Sequence, residues 1–314
     1  TGAQKARFSA RQMLPWFGTL SAREDYARSL AEAEYIDLLI ARRKLALDVA
    51  QSYYELCRLS AREAVLRDNG ELLKTYEELA LTAVEVGNAS AVDVLKLQIR
   101  QNELREQLEV LRETFGAQQA EFNALLGRSP EMDVVVNPVA IPERDPILDD
   151  SIQLNPELLR FEKLYASVAR AELLNQKESA PSLGIGLDYI PVQERPVAGI
   201  EDNGKDIFMP MVTLSIPIFN NRFDSRSRQN RLRQEEIKAM KQQRRHVLEA
   251  ALARAIRERA AARIRYNSRQ YSERQARDAE AILIKNYETG SIDFNDLLDI
   301  QELQLRLQLS QIDA

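Results

Sequence analysis

The sequence has few of the residues that most often build catalytic and metal sites, because its 314 residues include one cysteine and one histidine. A single cysteine excludes an intrachain disulfide framework and a cysteine-rich zinc site, and Cys57 lies in a helical pattern that predicts a packing role. His246 is flanked by Arg244, Arg245 and Glu249, which predicts a solvent-exposed side chain and neither a base nor a metal ligand. We therefore expect a protein that is not an enzyme and carries no cofactor or metal.

Glycine, aromatic side chains and long apolar runs are also scarce. The chain has 11 glycines and 6% aromatic residues, against 29% charged residues, a composition typical of long helices with a narrow apolar seam. No apolar run reaches the roughly 18–20 residues of a membrane-spanning helix. The net charge of −5 gives no general case for a nucleic-acid partner. Since the sequence does not begin with methionine, we expect a mature or trimmed product.

Two similar turns organise the rest of the chain. Gly290 follows a long charged segment and is predicted to end a helix, and Ser291 or Asp293 is predicted to cap the next one. The same pattern occurs at Gly87, 203 residues earlier (290 − 87). A second pair of motifs lies at an offset of 202 (219 − 17), namely Pro15-Trp16-Phe17 and Pro217-Ile218-Phe219. The shared offset predicts a duplication of about 200 residues, far longer than the roughly 20–50 residues of solenoid repeats.

Long stretches without proline predict two helical hairpins. At a rise of 1.5 Å per residue, residues 21–86 make a rod of roughly 100 Å, shorter if Asn69-Gly70 breaks it. Residues 225–287 form a second such rod. In the helices after the two turns, apolar residues recur every seven positions: Leu97, Leu104 and Leu111; Leu108, Phe115 and Phe122; Leu298, Leu305 and Ile312. These seams predict coiled-coil-like packing.

Period-two alternation predicts β-strands. Residues 5–14 alternate polar and apolar side chains, and residues 183–189 and 212–218 alternate on either side of a predicted exposed loop. Each strand has about the length of a transmembrane barrel strand. An ordinary soluble hairpin fits the periodicity equally well.

A proline-rich segment at 130–156 is predicted to be an irregular connector, with a short strand at Val134-Val135-Val136. Asn155 and Pro156 are then predicted to begin a helix. Just past the last strand, four arginines form a basic stretch that predicts a solvated helix start near a membrane rather than a nucleic-acid patch: Arg226, Arg228, Arg231 and Arg233.

Several motifs together resemble the TolC-like outer-membrane efflux protein family. The two turns, each with an aspartate six residues after the glycine, carry the resemblance together with three further segments: Leu125-Leu126-Gly127-Arg128-Ser129-Pro130, Ala180-Pro181-Ser182-Leu183 and Leu214-Ser215-Ile216-Pro217-Ile218-Phe219-Asn220. These motifs extend over nearly the whole chain.

The resemblance implies a mainly α fold with a small β part: long antiparallel helical hairpins of an α-barrel, and strands of a shared trimeric outer-membrane β-barrel, in two structural repeats. It further implies a homotrimer in the outer membrane of a Gram-negative bacterium, surrounded by outer-membrane lipid, with the helices in the periplasm and no core within one protomer. The expected partners are a periplasmic adaptor (membrane fusion) protein and an inner-membrane pump, with no nucleic acid. The expected function is the passive exit duct of a tripartite efflux or type I secretion system.

Six segments follow from this interpretation. Residues 1–20 are expected to form a barrel strand of the first repeat, and 21–129 the first α-barrel hairpin. Residues 130–156 form the equatorial connector and 157–180 a helix of the second repeat. Residues 181–220 are expected to form the barrel hairpin and 221–314 the second α-barrel hairpin.

The resemblance assigns roles to twelve residues at the two turns. The adaptor is expected to dock at the tips, formed by Gly87, Asn88, Ala89, Ser90, Gly290, Ser291, Ile292 and Asp293. The gate is expected to comprise Asp296, Asp299, Asp93 and Tyr287. Asp296 and Asp299 lie three residues apart, hence on one helical face, and Asp93 with Tyr287 would link the hairpins in the closed state. As an alternative, Asp93 and Asp296 are simply first-turn acids favoured by the helix dipole.

Two further expectations concern the whole chain. In a two-repeat arrangement the counterpart of residues 155–189 lies upstream of Thr1, so we expect an N-terminally shortened protomer with three strands. Because an unpaired strand edge in lipid is costly, we expect this form not to be a working pore. The alternative function is a soluble periplasmic or cytoplasmic coiled-coil scaffold, which accounts for the rods but not for membrane-length strands in matching repeat positions.

Overall fold

The computed structural model of the chain describes residues 3–85, 87, 90–141, 152–194, 196, 203–218, 221–288, 291–292 and 294–314. The chain divides into two compact units. Unit 1 consists of Thr1–Ala41 and Asp150–Glu249, and unit 2 consists of Arg42–Asp149 and Ala250–Ala314.

Helices dominate the described residues, with short strands confined to unit 1. In chain order the elements are β1 (Ala3–Gln4), β2 (Phe8–Leu14), α1 (Thr19–Glu85), α2 (Ala91–Leu125), α3 (Pro156–Glu178), β3 (Ser182–Ile190), β4 (Val192–Gln193), β5 (Ile207–Ser215), α4 (Asn221–Glu288) and α5 (Phe294–Asp313). A 3₁₀ turn at Ile152–Leu154 precedes α3.

The first predicted rod is one unbroken helix of 67 residues. Asn69 and Gly70 do not interrupt it, because the Asn69 side-chain amide donates to the carbonyl oxygen of Val65 at 2.8 Å, within the helix. An interior glycine costs a helix about 1 kcal/mol relative to alanine, which the packing of a long helix easily outweighs. The second rod, α4, has 68 residues.

Unit 1 contains a three-stranded antiparallel sheet in the order β2-β3-β5. Phe8 pairs with Tyr189 and Leu14 with Leu183, while Ser182 pairs with Ser215 across the predicted hairpin. The hairpin prediction is confirmed. Residues 5–7 are not part of β2, and β4, which pairs with β1, lies in the segment that the sequence predicted to be an exposed loop.

Helix α3 begins as predicted. Asn155 caps it by accepting the backbone N–H of Glu157 at 2.9 Å, and Pro156 occupies the first turn. Ion pairs join α3 to the unit 1 parts of α1 and α4, namely Lys163–Glu32, Arg160–Asp37, Lys241–Glu162 and Arg244–Glu157. Because the partner numbers fall as the α3 numbers rise, α3 runs antiparallel to both helices.

Unit 2 has a buried apolar core, so the expectation that a protomer has none is wrong. The core side chains come from three helices: Leu66, Leu73, Tyr76 and Ala80 of α1; Val94, Leu97 and Leu104 of α2; Phe294 and Leu297 of α5. Partly buried Leu283, Ile284 and Tyr287 of α4 pack against it. The seam through Leu97 and Leu104 faces this core, since seven-residue spacing keeps side chains on one face of a helix.

The connector is irregular, and the predicted strand at Val134-Val135-Val136 is wrong. Residues 131–141 have no strand, since side chains rather than a neighbouring strand bond their backbone. The Asn123 amide donates to the carbonyl oxygen of Met132 at 2.7 Å, and the Asn137 N–H donates to the Tyr53 hydroxyl at 3.3 Å. Cys57 is buried here, as predicted, with its sulfur 3.8 Å from the carbonyl oxygen of Asn137.

The unit 2 core makes a prediction about stability. Leu297 is fully buried, so Leu297→Ala should lower the free energy of unfolding by about 2–5 kcal/mol, through lost burial and a residual cavity. Leu95→Ala removes the same atoms from an exposed position of α2 and should change it by less than about 0.5 kcal/mol. Urea unfolding followed by circular dichroism measures both. Equal effects of the two substitutions would contradict the assignment of Leu297 to a core.

Candidate functional site

In the described part of the first turn, the glycine has the conformation that the sequence predicts. Gly87 adopts a φ of 79°, the left-handed region that favours glycine, and its N–H donates to the carbonyl oxygen of Val84 at 3.0 Å. Ser90 caps α2: its hydroxyl accepts the N–H of Val92, while the Asp93 carboxylate accepts the N–H of Ser90, both at 3.2 Å. Asn88 and Ala89 lie outside the described residues. Gly87 and Ser90 are exposed.

The second turn is described in part, since Gly290 and Asp293 lie outside the described residues. The backbone N–H of Ser291 donates to the carbonyl oxygen of Asn286 at 2.9 Å, which continues the hydrogen bonding of α4 to its end. Ser291 is exposed and Ile292 is half-buried. Helix α5 begins at Phe294.

Two of the four predicted gate residues lie close to the core of unit 2. Asp93 is almost buried, and the capping box occupies one of its oxygens, while the Lys96 ammonium lies 3.9 Å from the other. The Tyr287 ring packs edge-on against Phe294, with 5.2 Å between ring centroids. Asp93 therefore stabilises the first turn of α2, as in the alternative interpretation. Its link to Tyr287 stays a prediction.

The other two predicted gate residues are exposed. Asp296 and Asp299 lie in the first two turns of α5, and both side chains are open to solvent. Their neighbours Phe294, Leu297 and Gln301 are buried. The two carboxylates thus occupy the face of α5 that points away from the unit 2 core.

Sequence reasoning missed polar contacts between α2 and α5 next to the turns. The Lys96 ammonium donates to the side-chain oxygen of Asn295 at 2.6 Å, and Arg100 forms an ion pair with Glu302. These contacts join the first helical hairpin to the second. The sequence signal for them is weak, because all four partners are polar residue types that are common on solvent-exposed helix surfaces.

A buried polar layer crosses the same unit farther from the turns. The Gln301 side-chain amide donates to the side-chain oxygen of Asn69 at 2.9 Å, and the Asn69 side-chain amide donates to the side-chain oxygen of Gln308 at 3.0 Å. Nearby, the Tyr76 hydroxyl donates to the Glu280 carboxylate. Burial, followed by this hydrogen bond, raises the pKa of Tyr76. Such a layer fixes the register of packed helices, because a slipped helix would leave buried polar groups unpaired.

The sheet of unit 1 has one largely apolar face, set by its register. Directly opposed residues share a face, which here comprises Phe8, Ala10, Gln12 and Leu14 of β2, Leu183, Ile185, Leu187 and Tyr189 of β3, and Phe208, Pro210, Val212 and Leu214 of β5. Phe208 and Val212 are 64% and 78% exposed. An exposed apolar surface of this extent indicates a membrane or protein contact.

Aromatic side chains lie at both ends of this apolar face. At one end Phe8, Tyr189 and Phe208 form a row, with ring centroids 6.2 Å and 4.8 Å apart. Past the other end Trp16 and Phe17 pack edge to face at 5.7 Å. Nine residues of strand extend about 30 Å, and aromatic girdles at the two interfaces are typical of strands that cross an outer membrane.

The opposite face of the sheet is polar or small, with three methionines that sequence reasoning did not group. It carries Ser9, Arg11, Met13, Gly184, Gly186, Asp188, Met209, Met211 and Thr213. A Cβ at Gly184 would stand 2.6 Å from the sulfur of Met13, so a larger residue there would make the flexible Met13 side chain shift. Asp188 is fully buried and forms an ion pair with Arg7.

The surroundings of His246 give no indication of a catalytic or metal-binding role. His246 is exposed, with its Nδ1 at 3.4 Å from a Glu249 oxygen on the same helix. Within the described ranges, no cluster of three or more His, Cys, Asp or Glu could hold a metal ion. No helix of the described part of the chain has the length and apolar character needed to cross a membrane.

The fold and the two-faced sheet define a TolC-like outer-membrane channel fold. No protein-family model and no curated protein sequence matches the chain, but solved structures do. One is the outer membrane protein VceC of Vibrio cholerae, with 17% identity and a TM-score of 0.76; the match covers 98% of this chain and 74% of VceC. Another is the outer-membrane channel OprN, with 20% identity and a TM-score of 0.77; the match covers 97% of this chain and 70% of OprN. The open state of the Neisseria gonorrhoeae MtrE outer membrane channel also matches, with 14% identity and a TM-score of 0.71; the match covers 100% of this chain and 78% of that one.

These likenesses confirm the expected fold, a mainly helical chain with a small antiparallel sheet. All three structures are of outer-membrane or channel proteins rather than enzymes. Two structural repeats and a trimeric barrel stay predictions.

A group of ion pairs between α1 and α5 leads us to predict that the stability of the fold depends on pH. Arg58 and Arg62 each donate to the Asp313 carboxylate at 2.8 Å. Burial alone would raise the pKa of Asp313, but the hydrogen bonds from both arginines outweigh it, and the pKa lies below its ordinary value. A lowered folded pKa adds stability above the unfolded pKa of about 3.9, which is lost as the pH falls through the folded value.

Asp313→Asn should therefore lower the free energy of unfolding at pH 7 by up to about 1 kcal/mol, since the pair is partly exposed and screened. The difference from wild type should shrink towards zero below about pH 3. Asp299→Asn, which removes an exposed aspartate from the same helix, is the control and should have little effect at either pH. Urea unfolding from pH 2 to 8 measures this, and a pH-independent cost of Asp313→Asn would contradict the argument.

Proposed function

We propose that the protein is a wall segment of an outer-membrane exit duct in a tripartite efflux or type I secretion system. The observation that carries the proposal is the sheet of unit 1, whose apolar face is exposed, of membrane length and bounded by aromatic side chains. The fold shared with outer-membrane channels supports the same conclusion. On this proposal the sheet lies in the outer membrane and the helices extend into the periplasm.

The edges of this sheet support the proposed homotrimer. Strands β2 and β5 are the outer strands of the order β2-β3-β5, so each has one edge without a partner among the described residues. Unpaired backbone groups in lipid cost several kcal/mol each. Pairing with neighbouring copies satisfies them, and strands from three protomers would form the shared barrel.

The turns are proposed as the docking site for a periplasmic adaptor. Gly87, Ser90 and Ser291 are exposed, and the capping box of Ser90 and Asp93 fixes the start of α2. The proposed docking surface also includes Asn88, Ala89, Gly290, Ile292 and Asp293. Through the adaptor the duct would connect to an inner-membrane pump, and a passive duct of this kind need not select its cargo.

The gate is proposed at the first turns of α5. Asp296 and Asp299 point away from the unit 2 core, so in a trimer they are free to form rings of carboxylates that favour cations. Asp93 and Tyr287 would add a link between the hairpins in the closed state. The Lys96–Asn295 hydrogen bond and the Arg100–Glu302 ion pair supply a similar link from residues not expected from the sequence. Because exposed links are individually weak, a few of them can hold a gate that still opens.

The membrane location is tested by placing a charge on each face of the sheet. Val212→Arg puts a guanidinium on the apolar face in mid-strand and should cost about 2–4 kcal/mol in lipid. Thr213→Arg puts the same charge on the polar face and should be tolerated. Cell fractionation on sucrose gradients should show wild type and Thr213→Arg in the outer membrane, and far less Val212→Arg there. Equal recovery of all three in the soluble fraction would favour the soluble scaffold instead.

The gate is tested by conductance in planar bilayers, in the channel assembled from the complete gene product. Replacing Asp296 and Asp299 together with alanine should weaken block by multivalent cations at least about tenfold, since two carboxylate rings are lost. A variant lacking the exposed acids Glu103 and Glu106 of α2 is the charge-matched control and should keep the block. Unchanged cation block and conductance in the aspartate variant would remove the gate assignment.

A further inference from the structure

A band of exposed apolar and basic side chains lies where the sheet of unit 1 meets its helices. We call it the collar. Its apolar members are Trp16, Phe17, Leu20, Ile216 and Ile218, and Phe17 and Ile218 are each 81% exposed. All five are within a few residues of the ends of β2 and β5, so they continue the apolar surface of the sheet beyond its last backbone pair.

Basic residues outnumber acidic ones in the segments that carry and follow these apolar side chains. Across residues 16–28, 174–178 and 216–233 there are eight basic and four acidic side chains, a local charge of +4 in a chain whose net charge is −5. Lys177 reaches the apolar part directly, since its side chain lies 3.6 Å from the position of a Cβ on Gly18, next to Phe17. Arg222 lies over the ring of Phe223, with 5.9 Å to the centroid.

The basic residues of the collar fall into two groups. Arg23 and Arg226 both bond to Glu178, at 2.9 Å and 3.0 Å, and Arg28 and Arg233 pair with glutamates on their own helices. The second group has no acidic partner within ion-pair distance among the described residues, and consists of Lys177, Arg222, Arg228 and Arg231. All four side chains are exposed.

The unpaired group extends farther along α4 than the thickness of one lipid headgroup layer, so its contact with that layer depends on the reach of the side chains. Arg222, Arg228 and Arg231 fall within the first eleven residues of α4, which rise about 15 Å. Headgroup regions add roughly 5–8 Å on each side of a bilayer core, and arginine and lysine side chains extend several ångström towards an interface. The four cations can therefore reach lipid phosphates while Phe17 and Ile218 contact the acyl chains.

We infer that the collar binds the headgroups of anionic phospholipids, with Lys177, Arg222, Arg228 and Arg231 contacting the phosphates. Guanidinium groups match phosphate oxygens in geometry and charge, and basic residues beside a membrane attract anionic lipid. A nucleic acid would satisfy the cations but would leave Ile216 and Ile218 uncovered. The inference rests on the proposed membrane function and goes beyond it by naming the lipid class.

Trp16, the only tryptophan of the chain, lies in the collar and serves as a reporter. The test titrates the detergent-solubilised protein with phosphatidylglycerol or phosphatidylcholine that carries brominated acyl chains, which quench a nearby indole. Phosphatidylglycerol should quench Trp16 at about tenfold lower concentration than phosphatidylcholine. About 0.5 M salt should remove most of that preference, because it shortens the Debye length. Inorganic phosphate at equal concentration should not compete, since it lacks the acyl chains.

Matched variants separate the collar from general charge effects. Lys177→Gln, Arg222→Gln, Arg228→Gln and Arg231→Gln together should bring the two lipids to within about twofold of each other. The control removes four exposed arginines of α4 in unit 2, by Arg254→Gln, Arg257→Gln, Arg265→Gln and Arg269→Gln, and should keep the tenfold preference. Circular dichroism checks that both variants retain helix.

The outcomes distinguish this inference from the proposed function. Equal quenching by both lipids in the wild-type protein would overturn the inference and leave the membrane function standing. No quenching by either lipid would contradict the membrane function itself. A single-stranded oligonucleotide that displaces phosphatidylglycerol from the wild-type protein, but does not bind the collar variant, would replace lipid by nucleic acid as the ligand and overturn the inference.

Discussion

Unit 1 depends on the register of its three strands. In each strand apolar and polar side chains alternate, and the register places the apolar residues of β2, β3 and β5 directly opposite one another. Because directly opposed residues share a face, a shift of β5 by one position would move Val212 to the polar face and Thr213 to the apolar one. The observed register instead gathers the apolar side chains on one surface that the described residues of unit 1 leave largely exposed. At about 25 cal/mol per Å² of apolar surface, leaving that face in water is unfavourable, so an apolar environment would stabilise this arrangement.

Unit 2 combines an apolar core with a polar layer, and the two have different consequences. Leu73, Leu97 and Leu297 are fully buried and supply stability without fixing a unique register. The contacts of Asn69 with Gln301 and Gln308 add little net stability, since buried hydrogen bonds replace bonds to water, but they penalise any slip of α5 along α1. A helical unit built this way can lose its exposed contacts near the turns while the core and the polar layer hold the helices in register.

The parts of the fold that follow from local sequence were predictable. The left-handed Gly87, the cap at Asn155 and the paired strands each depend on neighbouring residues or on simple periodicity. The contacts that join elements were not, because their partners lie far apart: 199 residues separate Lys96 from Asn295, and 232 separate Asn69 from Gln301. The wrong prediction of a strand at residues 134–136 relied on local sequence alone. The β-branched residues there favour a strand only where a neighbouring strand is available to pair with them.

The pairing of charges in unit 1 bears on what its surface does. Several cations of α3 and of the helices that face it have an acidic partner, as in Lys163–Glu32 and Lys241–Glu162, so the chain does not lack acids to pair with. The collar instead holds highly exposed apolar side chains together with four cations that have no acidic partner among the described residues: Lys177, Arg222, Arg228 and Arg231. Like charges so placed repel one another, and clustering them there costs stability unless counter-charge arrives from outside. An amphiphile with a negative head and an apolar tail offsets both costs at once, which neither a counter-ion nor an apolar partner alone can do.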